Sequence, residues 1–123
     1  MKNVLVVDDA REVAEATASM LALMGYETRV AYDGRQAIAA VSQLRPDVVL
    51  LDLNMPAVDG FEAAQAIRAL DPGRPPMIVA LSALTHLNSA ATLEACGFDH
   101  YMTKPADVER LTALIEGGGV VDR

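Results

Sequence analysis

Five polar side chains stand directly behind short runs that read as strands. Asp8 and Asp9 follow Val4-Leu5-Val6-Val7, and Asp52 follows Val48-Val49-Leu50-Leu51. Ser82 follows Met77-Ile78-Val79-Ala80-Leu81, and Lys104 follows His100 to Thr103. Brought together, three carboxylates repel one another unless a cation sits among them. Oxygen-only ligands suit a hard ion, and few protein ligands with room for water suit Mg²⁺. Magnesium beside a free carboxylate invites phosphoryl transfer, the metal neutralising phosphate oxygens while Asp52 attacks phosphorus as a nucleophile. Ser82 would add a hydroxyl donor and Lys104 a cation for the phosphoryl oxygens. Singly, each residue has a plainer account: an Asp opens a loop, a Ser caps, a Lys is a solvated charge. Their recurrence behind one strand after another favours the chemistry.

The elements that must position them follow from periodicity. The runs ending at Asp8, Asp52 and Ser82 are continuously apolar, as strands buried on both faces are. Residues 26–31 form a strand with one wet face, since Glu27 and Arg29 alternate with apolar neighbours. Between the first two strands, Val13, Ala16, Thr17, Met20, Leu21 and Met24 have helical spacing, and Gly25 is placed to end that helix. Asp33 with Gln36 makes a capping box for a helix carrying Ala37, Ile38, Val41 and Leu44, and Pro46 stops it. Asp59 and Glu62 form a second box before Phe61, Ala64 and Ile67. A weaker helix is expected over 87–95, a short polar strand over 100–103, and a last helix from about Asp107 to Glu116.

Strands alternating with helices imply βαβ crossovers and a parallel sheet covered on both faces. Apolar strands belong in the middle and mixed ones at the edges. A doubly wound sheet in the order 2-1-3-4-5 satisfies that sorting, with its switch point between strands 1 and 3. Asp8, Asp9 and Asp52 then converge in one crevice at the carboxyl ends of the strands.

Composition narrows the function classes. The 123 residues suit one domain with a real core. Apolar residues make up 52% and aromatics only 4%, so the core is aliphatic. A net charge of −7 disfavours non-specific contact with nucleic acid or anionic membranes. No apolar run approaches a membrane span, and the Asp pair at 8 and 9 is unlike a signal peptide. A single cysteine, Cys96, leaves no internal disulfide or cysteine metal site. A cytoplasmic protein is expected. His86 and His100 lack partners at metal spacing and are not candidate ligands.

From Lys2 to about Glu116 the chain resembles the receiver domain of two-component response regulators, of the chemotaxis-regulator type and similar to hybrid histidine kinase receivers. The matching segments are Leu5-Val6-Val7-Asp8-Asp9, the run from Pro46 to Pro56 around Asp52, Asp59-Gly60, Ala80-Leu81-Ser82-Ala83 and Tyr101-Met102-Thr103-Lys104-Pro105. The resemblance implies a flavodoxin-like (βα)5 fold, with residues 1–116 as the receiver domain and 117–123 as a flexible tail. It implies that Asp52 accepts a phosphoryl group from a phosphohistidine on a histidine kinase or histidine phosphotransfer protein. It implies Mg²⁺ bound by Asp9, Asp52 and the backbone carbonyl of Asn54, with Asp8 acting largely through water. Ser82 and Lys104 would hold phosphoryl oxygens, and Tyr101 would be an aromatic switch that moves inward as Ser82 is drawn to the phosphate. Such a domain switches a protein-binding face and is not a turnover enzyme.

Two features set this chain apart. Between Ser82 and Cys96 only Glu94 is formally charged, and Leu84 and Leu87 stand where polar residues are common in the family. An apolar patch of that kind often marks a protein contact, so a downstream target is expected on the face near Leu84, Leu87 and Tyr101. Nothing after Glu116 is long enough for an output domain. The chain therefore reads either as a stand-alone receiver or as one excised from a hybrid sensor kinase or longer regulator. An Asp-nucleophile Mg²⁺ phosphatase of the haloacid dehalogenase type is the rival enzyme. It needs a second Asp two residues after the nucleophile, where this chain has Ala10 after Asp8 and Asn54 after Asp52. A flavodoxin-like cofactor carrier would need a phosphate-cradling loop after the first strand, where Asp8 and Asp9 would repel phosphate without a metal.

Overall fold

In the computed structural model, which describes residues 2–53, 60–70, 73, 75–82, 97–103 and 108–117, the strands alternate with helices as the periodicities predict. The order is β1 (Asn3–Val7), α1 (Arg11–Leu23), β2 (Glu27–Ala31), α2 (Gly34–Leu44), β3 (Val48–Asp52), α3 (Gly60–Leu70), β4 (Met77–Ser82), β5 (His100–Thr103) and α4 (Val108–Gly117). The helix expected over 87–95, the Asp59 cap and the tail beyond 117 lie outside the described residues.

All strand pairs are parallel, in the order β2-β1-β3-β4-β5. Successive side chains of a strand point to opposite faces, so the central strands supply two cores. Leu5, Val7, Val49, Leu51, Ile78 and Ala80 pack with Ala37 and Val41 of α2 and Ala63, Ala64 and Ile67 of α3. Val4, Val6, Val48, Leu50 and Val79 pack with Ala14, Ala18 and Leu21 of α1 and Leu111, Leu114 and Ile115 of α4. Glu27 and Arg29 are exposed on the β2 edge, as their alternation requires.

The face of α1 differs from expectation. Its buried residues are Ala14, Ala18 and Leu21, whereas Val13, Met20 and Met24 are 43%, 46% and 52% exposed. Two alanines stacked four residues apart let the helix axis lie close to the sheet. The larger apolar side chains then flank the contact, so of the expected stripe Leu21 is buried and Thr17 half-buried, while Val13, Met20 and Met24 lie outside it. Gly25 ends this helix as predicted. At φ +101° it carries a Schellman turn, in which Gly25 N–H donates to Ala22 O at 3.1 Å and Tyr26 N–H donates to Leu21 O at 3.2 Å. The Asp33 box also forms, with one change. Asp33 Oδ1 accepts from Gln36 N–H at 2.8 Å, but the Gln36 side chain accepts from the N–H of Tyr32, one residue earlier than the usual arm.

Two further aspartates stitch the amino ends of the strands. Asp47 N–H donates to Asn3 O while its carboxylate accepts from Asn3 N–H, both at 2.8 Å. Asp99 repeats the arrangement on Ile78, again with both bonds at 2.8 Å.

Candidate functional site

The register that pairs Val7 with Leu51 sets the next residues, Asp8 and Asp52, side by side at the carboxyl ends of β1 and β3. Asp8 is 1% and Asp52 3% exposed, and Asp9 is exposed beside them. One oxygen from each of the three carboxylates lies within 4.8 Å of the others. The backbone holds Asp8 in place: its N–H donates to Ala31 O at 3.1 Å, and its Oδ1 accepts from Ala10 N–H at 3.0 Å. This short turn anchors the Asp8 carboxylate and leads the chain into α1.

At such a separation two ionised carboxylates repel by about 3 kcal/mol at an effective dielectric of 20. A cation among them relieves that repulsion, and an all-oxygen donor set of this size fits a hard divalent ion such as Mg²⁺. The expected convergence of Asp8, Asp9 and Asp52 is therefore a feature of the fold.

At the same end of the sheet, where α1 begins and β2 ends, stand residues to which the sequence alone assigns no role. Arg11, in the first turn of α1, lies over the ring of Tyr32, the first residue after β2, at 4.1 Å from its centroid. The Tyr32 hydroxyl donates to Glu15 Oε2 at 3.0 Å. Burial and the Glu15 carboxylate raise the Tyr32 phenol above the ordinary tyrosine range, while Arg11 opposes them. The only signal in the sequence is position: Arg11 comes two residues after Asp9, and Tyr32 directly follows a strand.

The other expected site residues are placed in part. Ser82 is the last residue of β4, one beyond the Leu81 that pairs with Asp52, and its partner in β5 is Thr103. The Ser82 side chain, Asn54, Leu84, Leu87 and Lys104 lie outside the described residues. Tyr101, on the edge strand β5, is 47% exposed. No helix among the described residues is long and apolar enough to cross a membrane.

Comparison with known proteins gives a consistent result. Residues 4–116 match the model of the response regulator receiver domain. The transcriptional regulatory protein PrrA of Mycobacterium tuberculosis is 39% identical over 115 residues, covering 93% of this chain and 48% of PrrA. The chain thus spans from a quarter to about half of the length of the curated relatives it matches. Among solved structures, chemotaxis protein CheY4 of Vibrio cholerae is 31% identical with a TM-score of 0.84, over 95% of this chain and 98% of that one. Response regulator TrrA of Thermotoga maritima, in complex with Mg²⁺ and BeF, is 31% identical with a TM-score of 0.83 and the same coverage.

Proposed function

The chain belongs to the response regulator receiver domain family, and from that premise we propose that Asp52 is its phosphoacceptor, loaded from a phosphohistidine on a histidine kinase or histidine phosphotransfer protein. The observation that carries this reading is the convergence of Asp8, Asp9 and Asp52, two of them buried, where neighbouring parallel strands end. Mg²⁺ would be held by Asp9, Asp52 and the backbone carbonyl of Asn54, with Asp8 acting largely through water. When bound, it supplies positive charge against the phosphoryl oxygens and the carboxylates. The Asp52 carboxylate attacks phosphorus, the P–N bond to the donor imidazole breaks, and the electron pair leaves with the ring nitrogen. Ser82 donates its hydroxyl to one phosphoryl oxygen, and Lys104 pairs with another. Tyr101 then moves inward as Ser82 is drawn toward the phosphate.

The product is a modified signalling domain whose phosphoryl group is later hydrolysed. The switched surface is the face near Leu84, Leu87 and Tyr101, which docks a downstream protein. The same acceptor chemistry serves a stand-alone receiver and one joined to a longer regulator or hybrid kinase. A phosphatase reading lacks its second Asp, at Ala10 and at Asn54 alike.

Intact-protein mass spectrometry after incubation with acetyl phosphate tests the assignment. A single phosphoryl adduct is expected, dependent on Mg²⁺ and absent in Asp52→Asn. An adduct that persists in Asp52→Asn would place the acceptor elsewhere. Leu87→Asp is expected to abolish target docking while leaving the adduct intact, and unchanged partner affinity would remove this face from the proposal.

A further inference from the structure

A phosphoryl donor approaching Asp52 is an anion entering a crevice lined by three carboxylates on a chain of net charge −7. The summed field of such a protein slows that encounter. Arg11 stands at the end of the sheet where these carboxylates converge. It occupies the first turn of α1, where side chains lean toward the helix N-terminus and hence toward the carboxyl ends of the strands. It is also braced more than a solvated arginine needs to be. The Tyr32 ring lies 4.1 Å beneath the guanidinium carbon. That ring is held from α1 by Glu15 at 3.0 Å, and its backbone is held from α2 by Gln36 at 3.0 Å. An aromatic ring beneath a guanidinium restrains it, and a guanidinium carries five N–H donors suited to phosphate oxygens.

We propose that Arg11, braced on Tyr32, is the donor-recruiting cation of the crevice and gives it a preference for doubly negative phosphodonors such as acyl phosphates. The inference rests on the reading of Asp52 as acceptor. With acetyl phosphate, an Asp52 oxygen bonds to phosphorus, the bridging P–O bond breaks, and acetate leaves with the electron pair. With phosphoramidate, which is singly negative, the P–N bond breaks and ammonia leaves.

The test compares second-order phosphorylation rates with these two donors, in Mg²⁺ and at low and high salt. Wild type, Arg11→Gln, Arg11→Lys and Tyr32→Leu are compared, with folding checked by thermal unfolding. Arg11→Gln is expected to slow acetyl phosphate about three- to tenfold and phosphoramidate less than twofold, and to flatten the salt dependence. Arg11→Lys retains the preference, and Tyr32→Leu loses part of it. Equal losses with both donors, or rates unchanged in Arg11→Gln, would overturn the proposal while leaving Asp52 as acceptor. A folded wild type that neither donor labels would overturn both readings together.

Discussion

Asp8 and Asp52 end neighbouring parallel strands one residue past the Val7–Leu51 pair, and both are almost completely buried. Two like charges so placed repel one another. Asp8→Asn keeps an oxygen for the Ala10 N–H and removes one charge. It is expected to raise metal-free stability by about 1 kcal/mol. In wild type, Mg²⁺ at a hundred times its Kd stabilises by about 2.7 kcal/mol, and the variant loses most of that gain. Thermal unfolding with and without Mg²⁺ reads both effects, and a variant less stable than metal-free wild type would contradict the repulsion argument.

Gly97 and Gly25 both adopt positive φ, +104° and +101°, but only one has a neighbour in the way. A Cβ at Gly97 would meet Arg68 Cγ at 3.1 Å, whereas Gly25 has nothing within 4 Å. Arg68 cannot withdraw freely, because its Nε donates to Gly97 O at 2.8 Å and its guanidinium pairs with Asp99. Gly25→Ala is therefore expected to cost about 1–2 kcal/mol from backbone strain alone. Gly97→Ala should cost more, and urea midpoints that rank the two the other way would show that Arg68 yields without loss.

The burial of Ala14 and Ala18 between α1 and the sheet makes these alanines less replaceable than the methionines of the helix. Ala14→Leu and Ala18→Leu overpack a buried contact and should destabilise by about 1–3 kcal/mol or more. Met20→Ala alters a side chain 46% exposed and should stay within about 0.5 kcal/mol. Denaturant unfolding of the three variants decides between this face and the Val13–Met20–Met24 stripe.

Tyr26 joins the start of β2 to the end of α4, its hydroxyl donating to Glu116 Oε2 at 2.6 Å. Burial first, and then the Glu116 hydrogen bond and charge, push its pKa up to about 12. A phenol whose folded-state pKa exceeds its unfolded value, about 10, stabilises fully below pH 10 and loses that contribution as pH rises through 12. Wild type should therefore lose stability between pH 10 and 12 more steeply than Tyr26→Phe. Parallel curves for the two proteins would remove Tyr26 as the cause.

Much of this molecule was legible in its residues one stretch at a time. Val4 to Val7, Val48 to Leu51 and Met77 to Leu81 are apolar at every position because helices cover both faces of the central strands. Sorting strands by polarity puts β1, β3 and β4 in the middle, which the order 2-1-3-4-5 satisfies. The meeting of Asp8, Asp9 and Asp52 follows from that order, since Asp52 is the last residue of β3 and Asp8 and Asp9 are the first two past β1. Short-range chemistry was equally readable: Gly25 ends α1 and Asp33 caps α2 through neighbours in the chain.

Tertiary structure decided what depends on distance between elements. Ala14 and Ala18 carry too little hydrophobicity to announce a buried face, and their smallness matters only once a sheet lies against them. The clamps of Asp47 on Asn3 and Asp99 on Ile78, and the stacking of Arg11 on Tyr32, join residues 21 to 44 positions apart. Local periodicity records the faces that water and core impose on each element. It holds no record of which side chains meet when those elements pack, and the stacking of Arg11 on Tyr32 is a product of that packing alone.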